Sequence, residues 1–227
     1  LGWRLAAIIL HGASPTLIHS YDEERVFAAD ENILNSTRSA DFITPPSAAV
    51  QVLREAALAL AHNTGWGRVL VNSGRLSRPA QLHGVGQFSQ FADPDGRGIA
   101  PGTPGPDAPV TVHGKPDWLL NHLGQRGFTV LLYEPQPAKV PETIRSALPV
   151  DVIVVTAREP DPALGLIWDH SGLVASRYGL QPGTVVVIRP DQHVLTSLSF
   201  IDLAAIERSI AIASATAVHV HVQEQLS

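Results

Sequence analysis

Apolar positions along this chain follow two regimes, one helical in period and one made of short continuous runs. Leu1, Leu5, Ile8 and Ile9 lie at helical spacing. His11-Gly12 predicts the end of that first helix, since glycine readily takes the left-handed backbone of a helix C-terminus. Ser14-Pro15 opens the next element. From Thr16 to about Asn35 the pattern predicts a long amphipathic helix carrying Tyr21, Val26, Ala29, Ile33 and Leu34. Asp22, Glu23 and Glu24, followed by Arg25, place its charge mostly on one side. Pro45-Pro46 breaks the chain, and Ser47 is predicted to cap an alanine-rich helix, SAAVQVLREAALALAHN.

Between Gly65 and Asp107 periodicity is lost. Asp93-Pro94-Asp95-Gly96 and the run Pro101–Pro106 predict irregular surface loop and linker. From Val110 the second regime begins. Phe128–Tyr133, Val150–Thr156 and Thr184–Arg189 are apolar, rich in β-branched residues and bounded by Gly or Pro, so buried central strands are predicted. Helices are expected at Pro116–Leu123, Pro141–Leu148 and His170–Tyr178, with a last one from about Phe200 to Ala213. Strands alternating with helices predict an α/β fold. The expected division is a helical part over 1–64, a Gly/Pro-rich loop and linker over 65–109, an α/β domain over 110–218 and a tail over 219–227.

Composition narrows the chemistry. The chain has 227 residues, 44% hydrophobic and 16% charged, which is a globular balance. Its 16 Lys+Arg against 21 Asp+Glu give a formal charge of −5, which argues against a nucleic-acid partner. There is no cysteine, so disulfides, thiolate metal sites, CxxC redox chemistry and cysteine nucleophiles are excluded, and a peroxiredoxin-like antioxidant with them. No apolar run approaches the roughly 20 residues that span a bilayer, and no basic segment leads into an apolar one at the start. A cytoplasmic setting without a membrane partner is expected. The chain opens at Leu1 inside an apolar-periodic segment, with no capping residue before it, and is expected to be a piece of something longer.

Several residues invite a catalytic or binding role. His219-Val220-His221 puts two imidazoles on one face of an extended segment, but a third ligand is missing, and a solvated tail is the expectation. His11, His19, His62, His83, His113 and His122 are scattered and read as partly exposed residues. Ser73, His193 and Asp191 contain the residue types of a hydrolase triad. Ser73, however, lies in Asn-Ser-Gly-Arg rather than in a nucleophile elbow. Gly84-Val85-Gly86 and Gly96-Arg97-Gly98 lack the third glycine of a dinucleotide fingerprint. Arg189-Pro190-Asp191-Gln192-His193-Val194 reads either as a site at the carboxyl end of a strand or as a turn in which Asp191 bonds local backbone.

Four segments together resemble the C-terminal part of single-component FAD-dependent aromatic hydroxylases of the phenol hydroxylase and para-hydroxybenzoate hydroxylase type. They are Leu1–Ala6, Leu17–Val26, Val71–Ser77, and Tyr178-Gly179-Leu180 with Gly183 and Ile188–Val194. The resemblance implies a helical remnant of the flavin domain, a linker and a thioredoxin-like α/β domain without cysteines. It also implies FAD as cofactor, NADH or NADPH as co-substrate, O₂, and a phenolic or aromatic substrate. FAD would be held mainly by an upstream part, because no Gly-x-Gly-x-x-Gly strand–turn–helix is present here. No catalytic, cofactor-binding or metal-ligating residue of the family carries over to a numbered position. Trp66 and Phe88 are expected either at the edge of the substrate pocket or in ordinary packing. Implied partners are an upstream FAD-binding domain or a second copy in a homodimer. Trp3, Leu5 and Ile8 would face that missing domain. The alternative is a stand-alone, non-enzymatic thioredoxin-like module for interaction or dimerisation.

Overall fold

The computed structural model describes residues 1–71, 79–91, 98–136 and 139–216. Contacts group Leu1–Glu24 with Leu82–Ser227 as one compact unit and Arg25–Gln81 as another.

The first unit is built on a mixed sheet of seven strands. These are β1 (Pro109–Val112), β2 (Lys115–Trp118), β3 (Phe128–Tyr133), β4 (Val150–Thr156), β5 (Ile167–Trp168), β6 (Val185–Ile188) and β7 (Val194–Leu198), in the order β2-β1-β5-β4-β3-β6-β7. β3 runs parallel to β4, and β4 to β5, while every other pairing is antiparallel. All residues of β3 and β6 are buried, as expected of apolar runs covered on both faces. Leu119, Leu131, Val155, Val174, Tyr178 and Val186 belong to the continuous core on this sheet.

Helix α1 (Gly2–His11) ends where Gly12 takes φ 67°, the left-handed value that a side chain would resist. Helix α2 starts at Thr16 and continues to Ile43, eight residues beyond the sequence expectation at Asn35. Two short helices complete the first unit. In α5 (Leu173–Tyr178) the first-turn amides of Val174 and Ala175 donate to the buried carboxylate of Asp169, at 3.2 and 2.9 Å. In α6 (Leu203–Ser214) the Ala205 amide donates to the Asp202 side chain at 3.0 Å.

The second unit carries the rest of α2, then α3 (Ala48–Asn63) and α4 (Gly65–Val71). Ser47 caps α3 as expected, accepting from the Val50 amide at 3.4 Å.

Three expectations fail locally. Pro116–Leu123 is not a helix but strand β2 followed by a 3-10 turn at Leu119–His122. His113 and Gly114, with φ of 49° and 74°, make a tight hairpin that pairs Val112 with Lys115. Pro116 is then tolerated on an edge strand, where no ladder amide is required of it. Residues 141–148 form no helix. Their amides find side chains instead, Arg145 donating to Glu207 at 2.9 Å and Leu148 to Ser146 at 3.1 Å. Finally, Gly65–Val71 is helical rather than irregular.

Candidate functional site

A buried charge network forms where α1, the start of α2 and the β6–β7 turn converge. Arg189, at the end of apolar strand β6, is fully buried, as are Arg4 of α1 and Glu24 of α2. Arg189 Nη1 donates to Glu24 Oε1 at 2.8 Å and Nη2 to Glu24 Oε2 at 2.9 Å. Arg4 Nη2 donates to the same Oε2 at 2.7 Å. One carboxylate therefore serves two guanidinium groups. A second acid balances them, because Asp191 accepts from Arg189 Nε at 3.0 Å and from Nη2 at 2.7 Å. Gln87, in the 3-10 turn Gly86–Gln90, accepts from Arg189 Nη1 at 3.1 Å and donates to the carbonyl of Ala213.

Aromatic faces enclose the cations. The Arg189 guanidinium lies 4.3 Å from the Phe88 ring centroid and 5.5 Å from that of Trp3. Arg4 lies 5.0 Å from Trp3 and 5.3 Å from Tyr21. Trp3 also meets Phe128 edge-on at 6.0 Å and donates its indole N–H to Asp191 at 3.3 Å. Trp3, expected to face a domain outside the chain, is thus partnered within it, whereas Leu5 remains exposed.

Electrostatics follow from this geometry. Burial opposes the charge of Glu24, but the hydrogen bonds and charges of Arg189 and Arg4 outweigh it and hold the carboxyl below its ordinary range. Burial likewise opposes Asp191, and His193 and Arg189 together hold it well below the usual carboxylate range. Burial also works against Arg189, and its acidic partners raise it above the ordinary arginine value. In Arg4 burial wins over Glu24, so its pKa is lowered, and its Nε has no hydrogen-bond partner. Every acid in the cluster is engaged and ionised. The arrangement ties α1, the start of α2 and the β6–β7 turn together.

The residues singled out in the sequence separate accordingly. Asp191 and His193 come together, His193 Nδ1 lying 3.2 Å from the Asp191 carbonyl oxygen and 3.5 Å from its carboxylate Oδ1, while the same carboxylate accepts from Arg189 and Trp3. Ser73, the third member of the proposed triad, and His219 and His221 lie outside the described residues, as do Asn72, Asp93–Arg97 and the tail. Among the described residues no group of His, Asp and Glu could hold a metal. Phe88 is a buried ring on Arg189, and Trp66 is exposed. Glu24 went unrecognised, because Asp22-Glu23-Glu24-Arg25 reads as a solvated run; only Glu24 of these four is buried.

Beside the network lies an open cleft of about 820 Å³, formed by Pro15–Ser20, Asp22, Glu23, Gly86, Gln87, Gln90, Ile212 and Ala215. No helix among the described residues is long and apolar enough to cross a membrane.

No protein-family pattern matches the chain, and no curated protein sequence matches it. Solved structures do. The chain is similar to the flavin-dependent monooxygenase PieE, solved with FAD and substrate, with a TM-score of 0.62 and 19% identity over 93% of this chain. It is similar to aklavinone-11 hydroxylase, solved with FAD and aklavinone, at 0.53 and 17% over 93%. It is also similar to RebC soaked with K252c, at 0.55 and 17% over 96%. The chain spans 42%, 37% and 40% of those proteins' lengths. Almost all of this chain therefore shares its fold with about two fifths of a flavin-dependent monooxygenase.

Proposed function

We propose that this chain is the C-terminal portion of an FAD-dependent monooxygenase that hydroxylates a phenolic or aromatic substrate with NADH or NADPH and O₂. The observation carrying this reading is the coverage, 93–96% of this chain against 37–42% of the monooxygenases. The strand order β4-β3-β6-β7, with β3 and β4 parallel and β6 and β7 antiparallel beside them, supports a thioredoxin-like arrangement for the α/β part. Without cysteine that arrangement supplies scaffold and cover rather than redox chemistry.

The described residues do not fit FAD on their own. Among the described residues no strand–turn–helix carries a glycine cradle for a pyrophosphate. The space a side chain would take at Gly86 is already filled, with Glu24 Cγ at 2.9 Å and the Ser20 carbonyl oxygen at 3.0 Å. Gly84 borders open space, and among the described residues the buried side-chain polar atoms lacking partners are Arg4 Nε, Arg54 Nε and Tyr178 Oη. In this reading FAD is held by the larger part of the enzyme, and no chemical step is assigned to residues of this chain. Their work is to hold α1, α2 and the sheet in fixed relation, through Arg4, Glu24, Arg189 and Asp191.

One observation favours the alternative, a stand-alone thioredoxin-like interaction module: the α/β part has a continuous core of its own. An absorption spectrum decides between them. The 227-residue chain is expected to show no bound-flavin bands, whereas the longer polypeptide encoded with it is expected to bind FAD and to oxidise NADH or NADPH faster with a phenol present. A gene encoding nothing further, or a longer polypeptide without flavin, supports the module.

A further inference from the structure

The residues that follow Thr216 are Ala217-Val218-His219-Val220-His221-Val222-Gln223. Valine alternates with a polar residue through this stretch. An extended backbone therefore lines Val218, Val220 and Val222 along one edge and His219 and His221 along the other. Three β-branched apolar side chains on one edge gain by leaving water for an apolar surface.

The structure fixes where this stretch begins. Ala215 takes φ 50°, a left-handed backbone that alanine adopts only when its surroundings hold it there. It closes α6: its amide donates to the Ile212 carbonyl and the Thr216 amide to that of Ala211, both at 3.1 Å. The Ala215 carbonyl accepts from the Ser14 amide at 3.1 Å, just before α2. The chain thus leaves α6 beside the cleft of about 820 Å³, which Ile212 and Ala215 themselves line. The first two turns of α2 form another wall. There Pro15, His19, Asp22 and Glu23 are exposed and Ile18 is half-buried.

We infer that residues 218–222 lie extended along this cleft as its built-in occupant, valines on Ile18 and Ile212 and imidazoles toward Asp22 and Glu23. Lengths agree. The α2 wall from Thr16 to Glu23 rises about 11 Å, and residues 218–222 span about 13 Å when extended. Chemistry agrees as well. No lysine or arginine lines the cleft, so its two acids are open to a donor, and an imidazole N–H donates to a carboxylate whether or not the ring is charged. Covalent continuity raises the effective concentration of this occupant above that of a free peptide. The inference does not depend on the proposed function.

Disulfide trapping tests it on a clean background, because the chain has no cysteine. In a glutathione buffer, His19→Cys with His221→Cys is expected to close an intramolecular disulfide. Its effective concentration is expected to be at least about tenfold above that of Arg208→Cys with His221→Cys. Arg208 is exposed on α6 about 9 Å before Ser214, within reach of an undocked segment. Adding Val220→Asp is expected to abolish the difference between the two pairs. Equal trapping of the pairs overturns the inference, as does a difference that survives Val220→Asp. Disulfide-linked dimers that increase with protein concentration overturn it in favour of the same segment from a second copy. Trapping in the 227-residue chain that is lost in a longer polypeptide overturns it in favour of that polypeptide's remaining part as the occupant.

Discussion

Arg189 and Glu24, 165 residues apart in the chain, meet in a fully buried two-bond pair of 2.8 and 2.9 Å. Strand β6 is thereby tied to the start of α2, and the shared Glu24 carboxylate ties in α1 through Arg4. The pair fixes arrangement more than it adds stability, because both ions are desolvated to form it.

Breaking the pair by one partner is expected to cost more than removing both. Glu24→Gln leaves two buried guanidinium groups short of an anion and is expected to destabilise the α/β unit by about 3–5 kcal/mol. Adding Arg189→Met to Glu24→Gln is expected to recover part of that loss. Urea denaturation followed by far-ultraviolet circular dichroism measures both, and a double variant as unstable as the sum of the singles argues against the coupling.

Acid is expected to loosen this unit through Glu24 and Asp191. Both carboxyls are held below their ordinary values in the folded chain, so their contribution is full above the unfolded value of about 4. It is lost as pH falls through their folded values. Thermal melts are therefore expected to hold steady from neutral pH down to about pH 5 and then to fall, with a shallower fall in Glu24→Gln.

Gly86 is expected to resist substitution for two independent reasons. Its φ is 54°, and a Cβ there would stand 2.9 Å from Glu24 Cγ and 3.0 Å from the Ser20 carbonyl oxygen. Gly86→Ala is expected to cost at least about 1–2 kcal/mol from backbone strain alone. Gly2, in the first turn of α1, has nothing within 4 Å of the added atom, so Gly2→Ala is expected to stabilise by about 0.5–1 kcal/mol. Paired melts of the two variants check the contrast.

Tyr178 carries a buried hydroxyl with no hydrogen-bond partner, and burial, reinforced by Asp107, raises its pKa so that the phenol stays neutral. Tyr178→Phe removes a polar group that has lost its water without regaining a bond, and is expected to be neutral or stabilising by about 1 kcal/mol. A loss of stability beyond that would mean the hydroxyl is in fact bonded. Chemical denaturation of the single variant reads it directly.

Much of the fold was legible because local patterns agreed with it. Gly12 as a helix stop, Ser47 as a cap, and the apolar runs of β3, β4 and β6 are signals carried by a few neighbouring residues. The failures share a cause. Pro116–Leu123 and residues 141–148 look helical by spacing, but a His-Gly hairpin and the distant Glu207 decide their backbone. β5, at two residues, is too short to leave any pattern.

The sequence by itself determined the α/β class, the main strands and helices, and the exclusion of thiol chemistry, since these depend on periodicity and composition. Only the tertiary structure decided that Glu24 is buried while Asp22 and Glu23 face solvent, that Arg4, Arg189 and Asp191 close around it, and that α3 is left without a covering surface. The reason is that burial of a charge depends on what packs against it from far along the chain, and no local pattern encodes a partner 165 residues away.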